Sequence, residues 1–410
     1  MAEARFRIRK GLAIGRSKPP ADPSIRAALP TRIALIGADY PGLRPAFEVA
    51  EGDTVTRGQV LFRDRKHREV AVTAPMAGRV TGLDYGPRRT LALLTIERTA
   101  EPSETGTPNI TTTRETLLAS GLWPAFRTRP YGYIPGPDDH PQAIVVNAVR
   151  TNPAAPDPRL VIADALDAFA EGLRRLTELT DGPVFLAREP GAPLTAPIDG
   201  VQDATFTGTS AAGLSGTQIN RLHRAGPDRQ VWSIGYQDVT AIGQLFQTGT
   251  PPGDRIVAIT GPLARAPALI RTRLGADLRQ LAAGHITQGT PCRLLSGDAT
   301  FGAEAAFLRR ADDQITLAPP ARPTRGWRSA LTRHAAITPT ARLDRALALD
   351  IHAVPLMRAL AIGDTETAER LGCLELIEED VAALTALCTS GADYPRLLRE
   401  VLDQLAEEAA

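Results

Sequence analysis

The chain has 410 residues, enough for two to four domains, and its 43% hydrophobic and 23% charged residues are typical of soluble globular proteins. A net charge of +1 gives no electrostatic support for a nucleic-acid partner. No apolar run approaches the ~18 residues that a transmembrane helix needs. Three cysteines without a CxxC pair and six scattered histidines argue against iron–sulfur and zinc sites, so we expect a cytoplasmic protein without a metal centre.

Residues 45–83 have the pattern of a small barrel-sandwich module of the biotinyl/lipoyl type. The segments EGDTV, GQVL and APMAGRV join short strand patterns by glycine turns, where glycine tolerates a positive φ. Such modules often carry a cofactor on a hairpin lysine. Lys66 stands in Arg-Lys-His-Arg without the flanking residues of a carrier turn, and we interpret it as a solvated lysine. We therefore assign residues 1–100 to this module and expect no covalently bound cofactor.

An α/β domain is predicted for residues 101–252, beginning with a polar, turn-rich linker at 101–112. A helix starts at Thr113, with Thr112 or Thr113 as its cap. Apolar runs then alternate with amphipathic segments, which predicts an open, mostly parallel sheet. The predicted strands are 143–149, 183–187, 231–236 and 255–260, and the predicted helices are 158–179, 213–224 and 238–247.

Further along the chain, the residue composition changes twice. Residues 313–340 are rich in Pro and Arg and are interpreted as a linker, whereas residues 341–410 are rich in Leu and Ala and predict helices. Carboxylates cluster at one predicted helix start, where they favour the helix dipole, and we interpret them as capping residues rather than acid–base catalysts. They are Glu375, Glu378, Glu379 and Asp380.

Two motifs near the predicted strands do not by themselves establish a ligand-binding site. The segment Gly208–Ser215 has the spacing of a phosphate-binding loop, but Leu214 replaces the lysine that would neutralise the phosphates, and no GxGxxG follows a strand. Asn147, Asn152 and Pro153 follow a buried strand at its carboxyl end, where open α/β sheets bind ligands. These residues either contact a ligand or simply terminate the strand.

The segment Trp123–Tyr131 combines aromatic residues with two arginines and a rigid turn. It either forms a lip over a flat aromatic ligand, with an arginine bonded to a carbonyl, or packs between domains. No Ser-His-Asp, Cys-His or paired-carboxylate arrangement is evident, so we predict no catalytic residues in this chain.

Several segments together resemble one family, the NqrA subunits of the Na+-translocating NADH:quinone reductase. They include RIALIGADYPGLRPAFEVAEGD, SGLWPAFRTRPY and VWSIGYQDVTAIGQLFQTG, which occur in family order over nearly the full length. The resemblance implies an α/β multidomain fold. Its parts are the barrel-sandwich module, a Rossmann-like α/β domain similar to the flavin subunit of complex I, an SLBB (β-grasp-like) domain at 253–312 and a C-terminal helical domain at 341–410.

The same resemblance implies a peripheral protein on the cytoplasmic face of the cell membrane, which contributes to ubiquinone binding and complex assembly. Ubiquinone is its substrate, flavins and iron–sulfur centres lie on partner subunits, and the membrane-embedded NqrB subunit is the main partner. Arg127 and Arg129 would orient the quinone headgroup, and Arg129→Ala would weaken quinone binding with folding intact. The implied ubiquinone-binding residues are Gly37, Tyr40, Gly42, Leu43, Phe126, Arg127, Arg129, Pro130 and Tyr131.

Two departures from the family keep an alternative open. The chain is shorter than the family around 312–345, and the family's cysteine-rich CPGK turn is altered in the segment that contains Cys388. The chain could therefore be a docking or assembly protein of another membrane complex that binds no quinone.

Overall fold

The computed structural model describes residues 3–12, 18–99, 111–287, 289–320 and 336–409. In these ranges the chain forms nineteen β-strands and eleven α-helices. The strands are β1 (Ala4–Ile8), β2 (Ile25–Ala27), β3 (Arg32–Ile36), β4 (Pro45–Phe47), β5 (Thr54–Val55), β6 (Val60–Asp64), β7 (Ala71–Thr73), β8 (Gly78–Tyr85), β9 (Leu91–Glu97), β10 (Arg127–Arg129), β11 (Ala143–Ala148), β12 (Val184–Arg188), β13 (Val201–Gly208), β14 (Val231–Gly235), β15 (Asp254–Thr260), β16 (Ala268–Arg273), β17 (Arg293–Ser296), β18 (Ala303–Glu304) and β19 (Gln314–Ala318).

The helices are α1 (Thr113–Ser120), α2 (Pro158–Ala163), α3 (Leu166–Thr177), α4 (Ser215–Leu222), α5 (Tyr236–Thr248), α6 (Leu278–Ala282), α7 (Ala341–Ala346), α8 (Ala353–Ile362), α9 (Thr365–Arg370), α10 (Glu378–Leu387) and α11 (Tyr394–Ala409). Much of each predicted linker, residues 101–110 and 321–335, lies outside the described residues.

Two small sheets face each other in the barrel-sandwich module. One has the strand order β3-β9-β8-β5 and the other β4-β6-β7, and all their pairings are antiparallel. Their inner faces enclose a core in which Leu61, Phe62, Val80, Leu94 and Ile96 are fully buried. A module of this kind is therefore present, as the strand and turn pattern predicted.

A six-stranded sheet with the order β1-β13-β12-β11-β14-β10 forms the centre of the α/β domain. Its first five strands are parallel, and β10 pairs antiparallel with β14 at the edge. Helices α3 and α5 pack closely because glycines face the partner helix. A Cβ on Gly172 would lie 2.0 Å from the Val239 oxygen, and one on Gly243 would lie 1.7 Å from the Ala168 oxygen.

Two predicted elements differ from the structure, and one strand was not predicted. The predicted helix 158–179 is two helices, because Ala165 has a non-helical backbone at the start of α3. Strand β13 was missed, since its sequence VQDATFTG is half polar. The predicted strand 255–260 forms as β15, but it pairs with β16 and β19 in a different sheet.

The first strands of the chain pair outside the barrel. Strand β1 runs parallel to β13, and β2 runs parallel to β16. The span 1–100 assigned to the barrel-sandwich module therefore contains two segments that extend the other sheets, and the two-layer barrel begins at β3. Pairing between segments so distant in sequence leaves no local sequence pattern, so the partners of β1 and β2 could not be predicted.

A second six-stranded sheet has the order β18-β17-β19-β15-β16-β2 and packs against helix α6. Its core is apolar, with Val257, Leu278 and Ile315 fully buried. The Asp277 carboxylate caps α6 by accepting from the Arg279 N–H at 2.9 Å.

Helices α7 to α11 pack against each other and against the α/β domain. Their buried side chains, among them Met357 and Leu402, share one core with Phe206 of β13 and Ile219 of α4. Among the described helices, none is long and apolar enough to cross a membrane.

Candidate functional site

The two segments predicted to bind quinone meet at Arg127. Its Nη2 donates to the backbone oxygen of Asp39 at 2.5 Å, and its Nη1 donates to the oxygens of Pro124 (2.8 Å) and Phe126 (2.9 Å). The side chain thus joins the loop between β3 and β4, residues 37–44, to the α/β domain. Burial and the nearby charge of Arg310 lower the pKa of Arg127 to about 10.

Close packing holds the first half of this loop. A 3-10 turn brings Gly37 so near strand β9 that a Cβ there would lie 1.7 Å from the Leu91 oxygen. Tyr40 is buried, and its ring meets the Phe62 ring edge-on with 5.6 Å between centroids. Burial raises the pKa of the Tyr40 hydroxyl to about 12, so it stays protonated and can donate a hydrogen bond.

The second half of the loop lies against the α/β domain. Gly42 has a φ of +80°, and a Cβ there would lie 3.0 Å from the Tyr133 ring. Leu43 packs against both the barrel core and the α/β core. These contacts fix the loop between two domains.

The Phe126 ring is part of the α/β core. It is fully buried, 5.5 Å from the Trp123 ring and 5.3 Å from the Trp232 ring between centroids. The aromatic residues of this segment therefore pack against each other rather than forming an open lip.

Arg129, Pro130 and Tyr131 face the C-terminal helices. The fully buried Arg129 has its Nη2 3.5 Å from Oδ2 of Asp380, and a cis peptide bond links it to Pro130. The Tyr131 oxygen accepts from Arg399 Nη1 at 2.8 Å. The structure therefore does not bring these three residues to Tyr40, and interdomain packing describes their contacts.

A small cavity lies where the barrel, the α/β domain and the domain of the second six-stranded sheet meet. Its volume is ≈ 40 Å³, and Tyr40 is the member of the predicted quinone set that lines it. The walls are about equally polar and apolar, and the polar or charged side chains among them are Asp39, Tyr40, Thr73, Ser120 and Arg310. Apolar lining comes from Leu35, Val72, Leu122, Pro251, Pro252 and Leu308.

Beside the cavity, charged side chains from all three domains are in contact. The Asp39 carboxylate accepts from the Arg310 N–H at 2.9 Å and lies 3.5 Å from Arg309 Nε. Asp238 of α5 pairs with Arg255 of β15 at 2.9 Å. Burial raises the pKa of Asp39, and the charge of Arg309 opposes that rise.

Arg310 is the distinctive group of this cavity. Its side chain is 10% exposed, and its Nη2 lies 3.5 Å from Oδ1 of Asp238. Its Nε and Nη2 are buried without a hydrogen-bond partner in the structure. A buried donor left in this state is costly, so the site is suited to an acceptor such as a carbonyl oxygen.

Sequence reasoning missed most of this cluster. Arg255 opens an apolar strand and Asp238 begins an apolar helix, so each is a charged residue in a buried pattern. A charged residue within a buried pattern usually has a charged or hydrogen-bonding partner. It could not show that Arg310 joins them, because the three residues lie on elements distant in sequence.

The other candidate residues have structural roles. The Asn147 amide donates to the Gly213 oxygen at 2.7 Å, and Asn152 donates to Asp298 (3.0 Å) and Gln314 (2.9 Å). Both asparagines thus have protein partners.

Lys66 and the metal-ligating residue types of the described chain give no sign of a carrier or metal site. Lys66 is exposed in the barrel turn. Within the described ranges, no group of three or more His, Cys, Asp or Glu side chains is arranged to hold a metal ion.

Comparison with known families gives three matches along the chain. The model of the NqrA N-terminal barrel-sandwich hybrid domain matches residues 6–99, and that of the NqrA second alpha/beta domain matches residues 109–251. The model of the NQRA C-terminal domain, of SLBB type, matches residues 256–306.

Curated relatives match over almost the whole chain. The NqrA proteins of the Na(+)-translocating NADH-quinone reductase from Actinobacillus pleuropneumoniae serotype 5b (strain L20) and Yersinia pestis bv. Antiqua (strain Angola) are each 36% identical. The corresponding protein from Pasteurella multocida (strain Pm70) is 37% identical. Each alignment covers 98% of this chain and at least 99% of the relative.

Solved structures show only distant likeness. A chain of an NAD+-reducing [NiFe]-hydrogenase in the air-oxidized state aligns with 66% of this chain and 55% of its own length. The identity is 12% and the TM-score 0.37, too low to support a statement about fold or function.

Proposed function

The chain belongs to the NqrA family of Na(+)-translocating NADH-quinone reductase subunits, and from this membership we propose its function. It is a peripheral component of an NADH:ubiquinone oxidoreductase of this kind, at the cytoplasmic face of the cell membrane. It contributes to ubiquinone binding and to assembly of the complex, with the membrane-embedded NqrB subunit as its main partner. Flavins and iron–sulfur centres on partner subunits carry the electrons.

The observation that carries the quinone part of this proposal is the buried Arg310 guanidinium at the cavity, whose Nε and Nη2 have no hydrogen-bond partner. A quinone ring is flat and apolar and has two carbonyl acceptors. Arg310 can donate to one of these oxygens, and the Tyr40 side chain lines the same cavity. Arg127 supports this site indirectly, because it holds the Asp39 backbone.

Binding requires the loop to move. A cavity of ≈ 40 Å³ holds roughly two or three water molecules, which is less than a quinone ring needs. The loop 37–44 supplies Asp39 and Tyr40 to one wall, and it must break its close contacts with β9 and the α/β domain for the headgroup to enter. We therefore expect slow association with a short-chain ubiquinone.

A quinone-binding measurement on the purified chain tests this site. Arg310→Gln should weaken binding of a short-chain ubiquinone at least tenfold, because it removes the charged donor while keeping a polar side chain. Arg279→Gln, at an exposed arginine on α6, is the matched control and should bind like the unsubstituted protein. If both variants bind the ubiquinone with equal affinity, Arg310 does not contribute to quinone binding.

Affinity purification from native membranes tests the assignment to a complex. The tagged chain should recover the other reductase subunits, identified by mass spectrometry. A chain that purifies alone under mild detergent would contradict the assignment, whatever its quinone affinity.

A second candidate function is docking or assembly without quinone binding. The contacts of Phe126, Arg129 and Tyr131 favour it, since they serve packing, and so does the small cavity. Recovery of partner subunits together with no saturable quinone binding would support this alternative.

A further inference from the structure

The turn between strands β6 and β7 of the barrel-sandwich module carries a cluster of exposed cations. Arg65, Lys66 and Arg68 stand within four residues of each other, and all three are exposed. Arg44, which precedes β4, is exposed beside them, because its backbone oxygen accepts from the Arg65 N–H at 2.7 Å. Glu69 is the one carboxylate of the turn 65–69, so the cluster has a clear positive excess in a chain whose net charge is +1.

Hydrogen bonds beneath the surface hold this turn in a defined shape. The buried Asp64 carboxylate accepts from the backbone N–H groups of Arg44 and Lys66, both at 3.2 Å. The Arg63 guanidinium donates to the backbone oxygen of Arg68 at 3.1 Å. These bonds use only the backbone of the exposed cations, so the charged ends of their side chains are not engaged in holding the turn.

The cations of the turn lack counter-charges. In the part of the chain that the structure describes, neither Arg44 nor any of the three cations at 65–68 takes part in an ion pair. Exposed arginines elsewhere are paired, such as Arg26 with Asp22 and Arg174 with Glu171, each at 3.1 Å. Like charges held side by side repel each other, and an anionic partner removes that repulsion.

An exposed aromatic residue lies near this turn. Tyr85, at the tip of the β8–β9 hairpin, is 47% exposed, and its ring meets the Phe47 ring of β4 edge-on with 5.6 Å between centroids. The Arg89 guanidinium lies 5.7 Å from the centre of the Tyr85 ring. Tyrosine and arginine side chains, each with an apolar body and a polar end, are suited to the headgroup level of a bilayer.

The composition of this surface favours a membrane over a protein as its partner. The centre of a protein–protein interface is apolar and depleted in charged residues. Here the charged side chains occupy the turn itself, and the exposed aromatic residue stands at its side. Attraction between basic side chains and anionic headgroups needs no fixed complementary shape, so a small basic turn is sufficient for it.

We propose that this surface, formed by Arg44, Arg65, Lys66, Arg68 and Tyr85, docks on anionic lipid headgroups. The contact orients the barrel-sandwich module toward the bilayer and acts together with the contacts to partner subunits. The inference rests on the proposed peripheral role at a membrane and adds a lipid partner to it.

Binding of the purified full-length chain to protein-free vesicles tests the proposal. Phosphatidylcholine vesicles with roughly one-third phosphatidylglycerol should bind the chain at about 0.05 M salt and release it as the salt concentration rises, whereas pure phosphatidylcholine vesicles should not bind it. Arg65→Gln/Lys66→Gln/Arg68→Gln should bind the anionic vesicles at least about tenfold more weakly, because it removes three charges from the turn. Tyr85→Ser should weaken binding severalfold without changing its dependence on salt.

The matched control is Arg342→Gln/Arg345→Gln/Arg358→Gln, which removes three exposed arginines of α7 and α8 and changes the net charge equally. It should bind the anionic vesicles like the unsubstituted chain. All six positions are exposed, so both triple variants should keep the thermal unfolding midpoint. Equal loss of binding in the two triple variants would overturn the proposal, because net charge rather than the turn would then determine binding.

The vesicles contain no protein, so this measurement is separate from the recovery of reductase subunits. A chain that recovers those subunits from native membranes but does not bind anionic vesicles would overturn the lipid assignment and leave the proposed function in place. Loss of subunit recovery in the turn variant of such a chain would identify an acidic protein surface as the partner instead.

Discussion

At the scale of single residues, the buried ion pair between Arg129 and Asp380 has the largest energetic consequence. Both side chains are almost fully buried and lie 3.5 Å apart. Removing one partner leaves the other charge buried and uncompensated, which costs about 3–5 kcal/mol. The sequence-based expectation that Arg129→Ala leaves folding intact is therefore replaced by an expectation of lost stability.

We predict that Arg129→Met lowers the free energy of unfolding by about 3 kcal/mol or more, measured by urea denaturation. Arg129→Met/Asp380→Leu should recover part of this loss, because no charge then remains unpaired. The control Arg396→Met removes an exposed arginine of α11 paired with Glu400 and should cost less than about 1 kcal/mol. Equal stability of Arg129→Met and Arg396→Met would contradict the burial of the Arg129–Asp380 ion pair.

Gly37 gives a second prediction at this scale. Gly37→Ala should lower the free energy of unfolding by about 2 kcal/mol, because the added Cβ would lie 1.7 Å from the Leu91 oxygen and force the loop away from β9. Gly284→Ala is the matched control, since a Cβ there meets nothing within 4 Å. If chemical denaturation gives the same stability for both variants, the loop does not pack as described.

At the scale of elements, helix α1 begins with a reciprocal cap. The Thr112 hydroxyl accepts from the Glu115 N–H at 3.3 Å, and the Glu115 carboxylate accepts from the Thr112 N–H at 3.4 Å. Thr112→Ala should therefore cost about 1 kcal/mol in denaturant unfolding, whereas Thr112→Ser should cost almost nothing because it keeps the hydroxyl. An alanine variant as stable as the serine variant would show that the cap contributes nothing.

This cap could be predicted because its signal is local, and the same holds for the apolar runs that became β11, β12 and β14. The opposite orientation of Arg127 and Arg129 could not be predicted, because side chains two apart in a regular strand share a face. Arg127 instead turns toward Asp39 while Arg129 turns toward Asp380. The partners of β1 and β2 had no such signal, because edge pairing depends on distant segments.

At the scale of the whole molecule, the candidate cavity exists only where three domains meet. The sequence indicated the loop around Tyr40 and the segment around Arg127, and the structure brings these two together. It did not indicate Arg310 or Asp238, because contacts between domains follow from docking rather than from spacing. The carboxylates near Arg129 are predicted to be capping residues, and Asp380 does cap α10 while also facing Arg129.

Partly buried carboxylates near these junctions make the stability of the whole chain depend on pH. Burial raises the pKa of Asp312 to about 6, and burial together with the Asp312 charge raises the pKa of Asp313 to about 7. The folded state thus favours the neutral acids. Their stabilising contribution is complete below the unfolded pKa of roughly 4 and is lost as the pH rises through about 6 to 7.

We therefore predict that the thermal midpoint of the unsubstituted chain falls between pH 5 and pH 8 and that Asp313→Asn makes this fall shallower. The variant should be the more stable protein at pH 8, because its amide stays neutral where the carboxylate must ionise in a partly buried site. Asp84→Asn, at an exposed carboxylate of β8, should leave the slope unchanged. A slope that Asp313→Asn leaves equally steep would mean that Asp313 ionises as readily in the folded chain as in the unfolded one, and that the drop in stability arises at other carboxylates.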